Sequence, residues 1–192
     1  MRKLTFVCLL LICSSAFAQE KPPLAKGTSE YAIFSGFAQG FGKRSGTHLV
    51  YAGGRYGHVF TGEHGPGWLR GNFEARTELL PLFHVWQNGD DATGVEYKPA
   101  VLVWNFRGNN RVRPFFELTG GLLVTNHDVP LNTNNVNFTP QGGPGFHFYT
   151  RDHRHAWTLQ TKYMHISNAG LDRKNSGVNA AIQLTLGYTW FR

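Results

Sequence analysis

Ile182-Gln183-Leu184-Thr185-Leu186-Gly187-Tyr188-Thr189-Trp190-Phe191-Arg192 is the stretch on which the fold turns. Ile182, Leu184, Leu186, Tyr188 and Trp190 share one parity, while Gln183, Thr185, Gly187 and Thr189 take the other. Successive side chains of a β-strand point to opposite faces, so this segment has one apolar wall and one polar wall. The apolar stripe ends in an aromatic pair, which suits a girdle at a membrane interface.

The same alternation recurs toward the N-terminus. In Trp68 to Phe83, Leu69, Phe73, Ala75, Leu79 and Phe83 oppose Arg70, Asn72, Glu74, Arg76 and Glu78. Further strands are predicted at Tyr31–Gln39, His48–Phe60, Val95–Phe106, Val112–Thr125, Val136–Tyr149, Ala156–Asn168 and Val178–Phe191, which makes eight. The first two alternate poorly. Each is long enough to cross a bilayer as a tilted strand, which takes roughly 9 to 11 residues. Turn clusters such as Gly62-Glu63-His64-Gly65-Pro66-Gly67 and Asn88-Gly89-Asp90-Asp91 separate them, and the 23 glycines and 14% aromatic content fit strands joined by tight turns.

A soluble barrel and a membrane barrel both use this pattern, with the apolar wall facing opposite ways. The terminal Tyr188-x-Trp190-Phe191 resembles the C-terminal aromatic signal of outer-membrane barrels, with Arg192 added after it. The fold expected is therefore an all-β, eight-stranded antiparallel transmembrane barrel of outer-membrane type. Its lumen would hold Arg70, Glu74, Arg76, Glu78, Glu96, Lys98, Glu117 and Lys162, close enough to pair off as a plug rather than a pore.

Met1 to Ala18 reads as a signal peptide: Arg2 and Lys3 form the charged start, Leu4 to Ile12 the apolar run, and Ala16-Phe17-Ala18 the small-x-small cleavage site. Both cysteines, Cys8 and Cys13, lie inside it, preceded by Val7 and Ile12 rather than by the small residue of a lipoprotein signal. Removing 18 of the 192 residues leaves 174, one barrel domain over residues 19–192. Without Arg2 and Lys3 the 19 basic side chains fall to 17 against 12 acidic, a modest positive charge that fits lipopolysaccharide phosphate or simply a solvated surface. No basic run carries interleaved aromatics, so nucleic acid is not a partner. The expected location is the outer membrane of a Gram-negative-type cell.

Chemistry points to the seventh strand, where His165 and Ser167 share the parity of Trp157, Leu159 and Tyr163. On a lipid-facing wall idle polar groups are costly, because hydrocarbon supplies no hydrogen-bond partner. Side by side at i and i+2, an imidazole can act as base toward a hydroxyl. The plain alternative is that the two mark where the strand leaves the bilayer. Asp152, His153 and His155 look metal-like but sit in a turn without further ligands, and His58 and His64 have no metal-ligand spacing. Gly142-Gly143-Pro144-Gly145 is not a phosphate loop, since no helix follows, and close strand packing or a barrel bend accounts for it better.

His165-Ile-Ser167-Asn168-Ala169-Gly170, followed by Asn175-Ser-Gly177-Val-Asn179 and a last strand, resembles the signature of the lipid A 3-O-deacylase (acyloxyacyl-hydrolase-like) family. That resemblance implies an eight-stranded outer-membrane barrel that removes an ester-linked acyl chain from lipid A, without a cofactor or metal. It makes Ser167 the nucleophile, His165 its general base and Asn168 a residue that helps shape the oxyanion site. The family's acid is replaced here by Asn179, whose carbonyl can accept the imidazole N–H but brings no charge; Asp172 is a weaker substitute. The site also resembles that of the larger outer-membrane phospholipase A family, which places an asparagine twelve residues after the serine, as Ser167 and Asn179 are spaced. Asn179 has the opposite parity to Leu184 and Trp190, so it reaches the outer face only through a bulge. Lipid A is the expected substrate and phospholipid the second choice, a non-catalytic adhesin or structural barrel and a soluble lipid carrier are the rivals, and a homodimer is left open.

Overall fold

Alternation along each strand sorts the side chains into an inner and an outer set, and closure of the sheet gives each set its own solvent. The computed structural model describes residues 24–42, 45–171 and 178–192, so the segment read as a signal peptide lies outside the described residues. The strands are β1 (Ser29–Gly40), β2 (His48–Val59), β3 (Gly71–Trp86), β4 (Ala92–Phe106), β5 (Val112–Thr125), β6 (Val136–Phe138), β7 (Gln141–Tyr149), β8 (His155–Ile166) and β9 (Val178–Phe191). All pairings are antiparallel, and β9 returns to β1 to close the ring. β6 and β7 both pair with β5 and make one barrel strand, interrupted beside Pro140, which has no N–H for the ladder. The molecule is thus an eight-stranded closed barrel.

The outer wall is apolar. Ile33, Leu82, Leu102, Leu118, Leu184 and Leu186 are all at least half exposed. Near the end that carries the N-terminus of β1 and the C-terminus of β9, outward-facing aromatic rings gather in two groups, Tyr31 with Tyr56 at 5.3 Å and Trp157, Tyr188 and Trp190 at 5.0–5.1 Å between neighbouring centroids. This is the interfacial girdle that the last strand's sequence predicted.

The interior is solid and layered. Its middle is a buried ion network: Arg55 reaches Glu78 at 2.6 Å and Glu30 at 3.4 Å, Arg76 reaches Glu30 and Glu74 at 2.9 Å, Lys98 reaches Glu78 at 3.0 Å, and Lys162 reaches Glu117 at 3.1 Å. Closed pairing of this kind offsets the cost of taking ions out of water. Toward the end where β8 finishes, an apolar layer of Phe34, Leu49, Tyr51, Leu80, Phe83, Val85, Met164, Ile166 and Val178 seals the barrel. At the opposite end Leu24, Val59, Ala156 and Phe191 do the same.

Two details differ from the sequence expectation. Arg70 lies outside the lumen, on the rim beside Glu63, whereas Glu30 and Arg55 are inside. Both lumenal residues come from the two strands whose alternation is weakest in the sequence, which is why they escaped notice. Phe83 points inward, not outward with Leu79, because the β3–β4 register shifts between Leu80 and Phe83 and turns Leu82 out instead. A bulge inserts a residue and exchanges the faces beyond it.

The glycine run of β7 serves close packing. A Cβ at Gly143 would come 2.2 Å from the Thr161 carbonyl oxygen, and one at Gly145 would come 2.3 Å from the Phe115 ring. Neither position tolerates a side chain without moving a neighbouring strand or ring.

Candidate active site

β8 alternates without interruption: Ala156, Thr158, Gln160, Lys162, Met164 and Ile166 are buried, while Trp157, Leu159, Thr161 and Tyr163 are exposed. His165 and Ser167 continue the outer set, each half-buried. Their Cα atoms are two strand residues apart, about 6.6 Å. Among the described residues no hydrogen bond joins the imidazole to the hydroxyl, so the pair shares a face without being locked together. Catalytic hydrogen bonds often tighten only when substrate is bound.

The strand made by β6 and β7 pins this corner. The His165 N–H donates to the Pro140 carbonyl at 3.0 Å, the Ser167 N–H to the Phe138 carbonyl at 3.1 Å, and the Phe138 N–H to the Ser167 carbonyl at 2.7 Å. Behind the wall, Met164, Ile166 and Val178 are buried in the apolar layer. Backbone pairing in front and packing behind hold the couple on rigid structure.

Ser167 leads into a tight turn. Ala169 and Gly170 have φ of 53° and 81°, and the Leu171 N–H closes the turn on the Asn168 carbonyl at 3.0 Å. Asn168 faces inward and is 1% exposed; its Oδ1 accepts the Gly170 N–H at 3.0 Å, and its Nδ2 has no partner among the described residues. Asn168 therefore does not share the outer face with His165 and Ser167. It shapes the turn that follows the serine.

On the other side of β8 the register shifts. Met164 pairs with Ala181 and Ile166 with Val178, so the single residue His165 is opposed by the two residues 179 and 180. A bulge of this kind is what the parity of Asn179 requires. The side chain of Asn179, and the whole of residues 172–177 including Asp172, lie outside what is described.

A trough of about 540 Å³ runs along the outer wall and ends at His165. Its floor is Gly142, which pairs with Leu118 on one side and Tyr163 on the other, and Phe116 and Pro140 complete its walls. Pro140 has no place in the sequence reading, and Gly142 is assigned there to strand packing or a bend and not to a trough beside His165. A proline two positions before a glycine run in an outward-facing strand is the signal that a dent interrupts the wall.

The remaining candidates are local. Asp152 accepts the Thr150 hydroxyl at 2.6 Å and the Arg154 N–H at 3.0 Å, and His155 approaches its other oxygen at 2.6 Å. The Thr150 hydroxyl, the Arg154 N–H and His155 hold the Asp152 carboxyl below the usual carboxylate range. His64 Nδ1 lies 3.0 Å from the Gly62 carbonyl oxygen, and His58 Nδ1 lies 3.5 Å from the Ser29 hydroxyl. Among the described residues no three His, Cys, Asp or Glu side chains gather as a metal site.

The family described as lipid A 3-O-deacylase (PagL) matches residues 50–189, well over half of the chain. Among solved structures, the crystal structure of the outer membrane enzyme PagL aligns at a TM-score of 0.50 and 18% identity, over 85% of this chain and 98% of that one. The outer membrane protein OprG from Pseudomonas aeruginosa aligns at 0.46 and 12% identity, over 88% and 98%. No curated protein sequence matches. At such identity the structural likeness to the enzyme speaks to the fold alone.

Proposed function

Because this chain belongs to the lipid A 3-O-deacylase (PagL) family, we propose that it is an outer-membrane serine esterase that removes an ester-linked acyl chain from lipid A. The observation that carries this reading is the placement of His165 and Ser167 together on the lipid-facing wall, with His165 lining a mainly apolar trough. An acyl chain lying in the trough brings its ester to the couple from within the membrane.

The reaction follows from these groups. His165 takes the Ser167 hydroxyl proton as the oxygen attacks the acyl carbonyl, and the tetrahedral oxyanion falls to the backbone N–H groups of Asn168 and Ala169, since those of Gly170 and Leu171 already donate to Asn168. Collapse breaks the ester, and the imidazolium returns its proton to the departing sugar oxygen. Water, deprotonated by His165, then attacks the acyl-enzyme and frees the fatty acid together with Ser167. The Asn168 side chain acts through the turn it fixes, not by direct contact.

Orientation agrees with a substrate of the outer leaflet. An even strand number puts both ends of the barrel strand set on one side, and the site lies at the other. At the site end the connections 41–47, 126–135 and 167–177 exceed 107–111 and 150–154 at the terminal end, although 87–91 at the site end is as short as those two and 60–70 at the terminal end is long. Longer loops face the exterior in such barrels.

Purified protein in detergent, incubated with lipid A, is expected to release one hydroxyacyl chain, read as the mass lost from lipid A. Phospholipase-type hydrolysis is the second reading, favoured by the Ser167-to-Asn179 spacing, and parallel incubation with phospholipid separates the two. No release from either substrate would leave a non-catalytic barrel.

Asn179 supplies a further test. As an imidazole-orienting amide it fixes the tautomer but does not steady the imidazolium. Asn179→Ala should lower kcat by on the order of 10-fold or more, up to the roughly 10⁴-fold that a wrongly set histidine tautomer costs, with little change in KM, and Asn179→Glu should raise kcat above the natural protein. Equal kcat in all three would remove Asn179 from the mechanism.

A further inference from the structure

Pro140 separates two depressions on the lipid-facing wall. The first ends at His165; the second, about 420 Å³, lies across β5 and is lined by Pro99, Gly120, Gly121, Leu122, Phe138 and Pro140, with no charged side chain. Its floor is Gly120, above which a Cβ would meet nothing within 4 Å. Leu122 and Phe138, paired across the strands, rise on one side as exposed walls.

Bilayer lipid fills any dent in a barrel wall, so shape alone does not choose an occupant. Continuity with the couple does. Phe138, a wall of the second trough, exchanges both backbone hydrogen bonds with Ser167, and Pro140, the ridge between the troughs, accepts the His165 N–H. From β8 to β5 is two strand spacings, about 9.6 Å. An ester held at Ser167 with its chain in the first trough therefore places the next chain on the same headgroup against the second.

We infer that the second trough seats a neighbouring, uncleaved acyl chain of the same lipid molecule, and so selects multi-chain esters over single-chain ones. The inference rests on the esterase reading above. Contact made by a chain that does not react can be used to position the chain that does.

Gly120→Leu fills this trough, and its Cβ meets no atom within 4 Å. The full chain in detergent is assayed on multi-acylated lipid A and on a single-chain p-nitrophenyl ester of the released acid. Gly120→Leu should lower kcat/KM on lipid A on the order of 10-fold more than on the single-chain ester. Equal effects on both substrates, or none on either, would overturn the inference. A second arm needs no turnover: in the Ser167→Ala background, retention of lipid A is read by native mass spectrometry with and without Gly120→Leu. Retention that falls with Gly120→Leu supports the seat, and unchanged retention overturns it. Should the natural protein hydrolyse neither ester while retention still falls, the esterase reading fails and the chain-binding trough stands.

Discussion

Ser167→Ala is expected to stop release of the hydroxyacyl chain from lipid A, with kcat reduced on the order of 10⁴-fold or more, and His165→Ala to do nearly the same. The doubly substituted protein should be no slower than either, because a nucleophile and its base work as one unit. The barrel should survive both changes, since strand β6 holds this corner through backbone hydrogen bonds that alanine preserves. Folding is checked by the heat-dependent gel mobility typical of closed barrels, and activity by the mass of the lipid product. A folded Ser167→Ala protein that still deacylates lipid A at the natural rate would end the serine-esterase reading.

The second large effect lies in the lumen. Glu78 accepts from Arg55 Nε at 2.7 Å and from Lys98 Nζ at 3.0 Å, and all three side chains are essentially inaccessible to water. Glu78→Ala leaves Arg55 with Glu30 at 3.4 Å and Glu117 at 3.9 Å, and Lys98 with Glu96 at 3.6 Å. Removing one member of a buried ion pair costs roughly 3–5 kcal/mol, so the urea midpoint of the barrel in lipid vesicles should fall sharply. Arg70→Ala breaks the pair with Glu63 at the rim, where both side chains remain partly wet, and should cost about 1 kcal/mol or less. Similar midpoints for the two variants would show that the lumenal network does not hold the barrel closed.

These two expectations draw on different kinds of information. The outward position of His165 and Ser167 was legible from the parity they share with Trp157, Leu159 and Tyr163, whereas the residues around them, His165 to Gly170 and Asn175 to Asn179, singled them out as a candidate site. The lumenal network was legible in part. Glu74, Arg76 and Glu78 alternate cleanly along β3, but Glu30 and Arg55 lie in strands rich in glycine and aromatics, where no dominant period marks the inner face. Arg70 follows the parity of β3 yet precedes its first residue, Gly71, so it escapes to the rim. Alternation predicts a side only while the strand lasts.

The site divides in the same way. Asn168 follows Ser167 in sequence, and sequence places it beside the nucleophile, but the turn at Ala169 and Gly170 turns its amide inward onto the Gly170 N–H. The trough beside His165 could not be read from β8, because its walls come from β5 and from the strand broken at Pro140. Contacts between strands depend on register, and register is set by bulges that leave little trace in local pattern.

What the amino-acid order determined by itself is the period: a strand's two faces, the length that crosses a bilayer, and the outward pair of an imidazole and a hydroxyl. Tertiary structure decided which strands meet, and with them the Pro140 ridge, its two troughs and the two-for-one opposition of residues 179 and 180 to His165. The physical reason is range. Side-chain direction is a property of one strand's backbone geometry, whereas a cavity exists only where side chains from several strands are brought together by closure of the sheet.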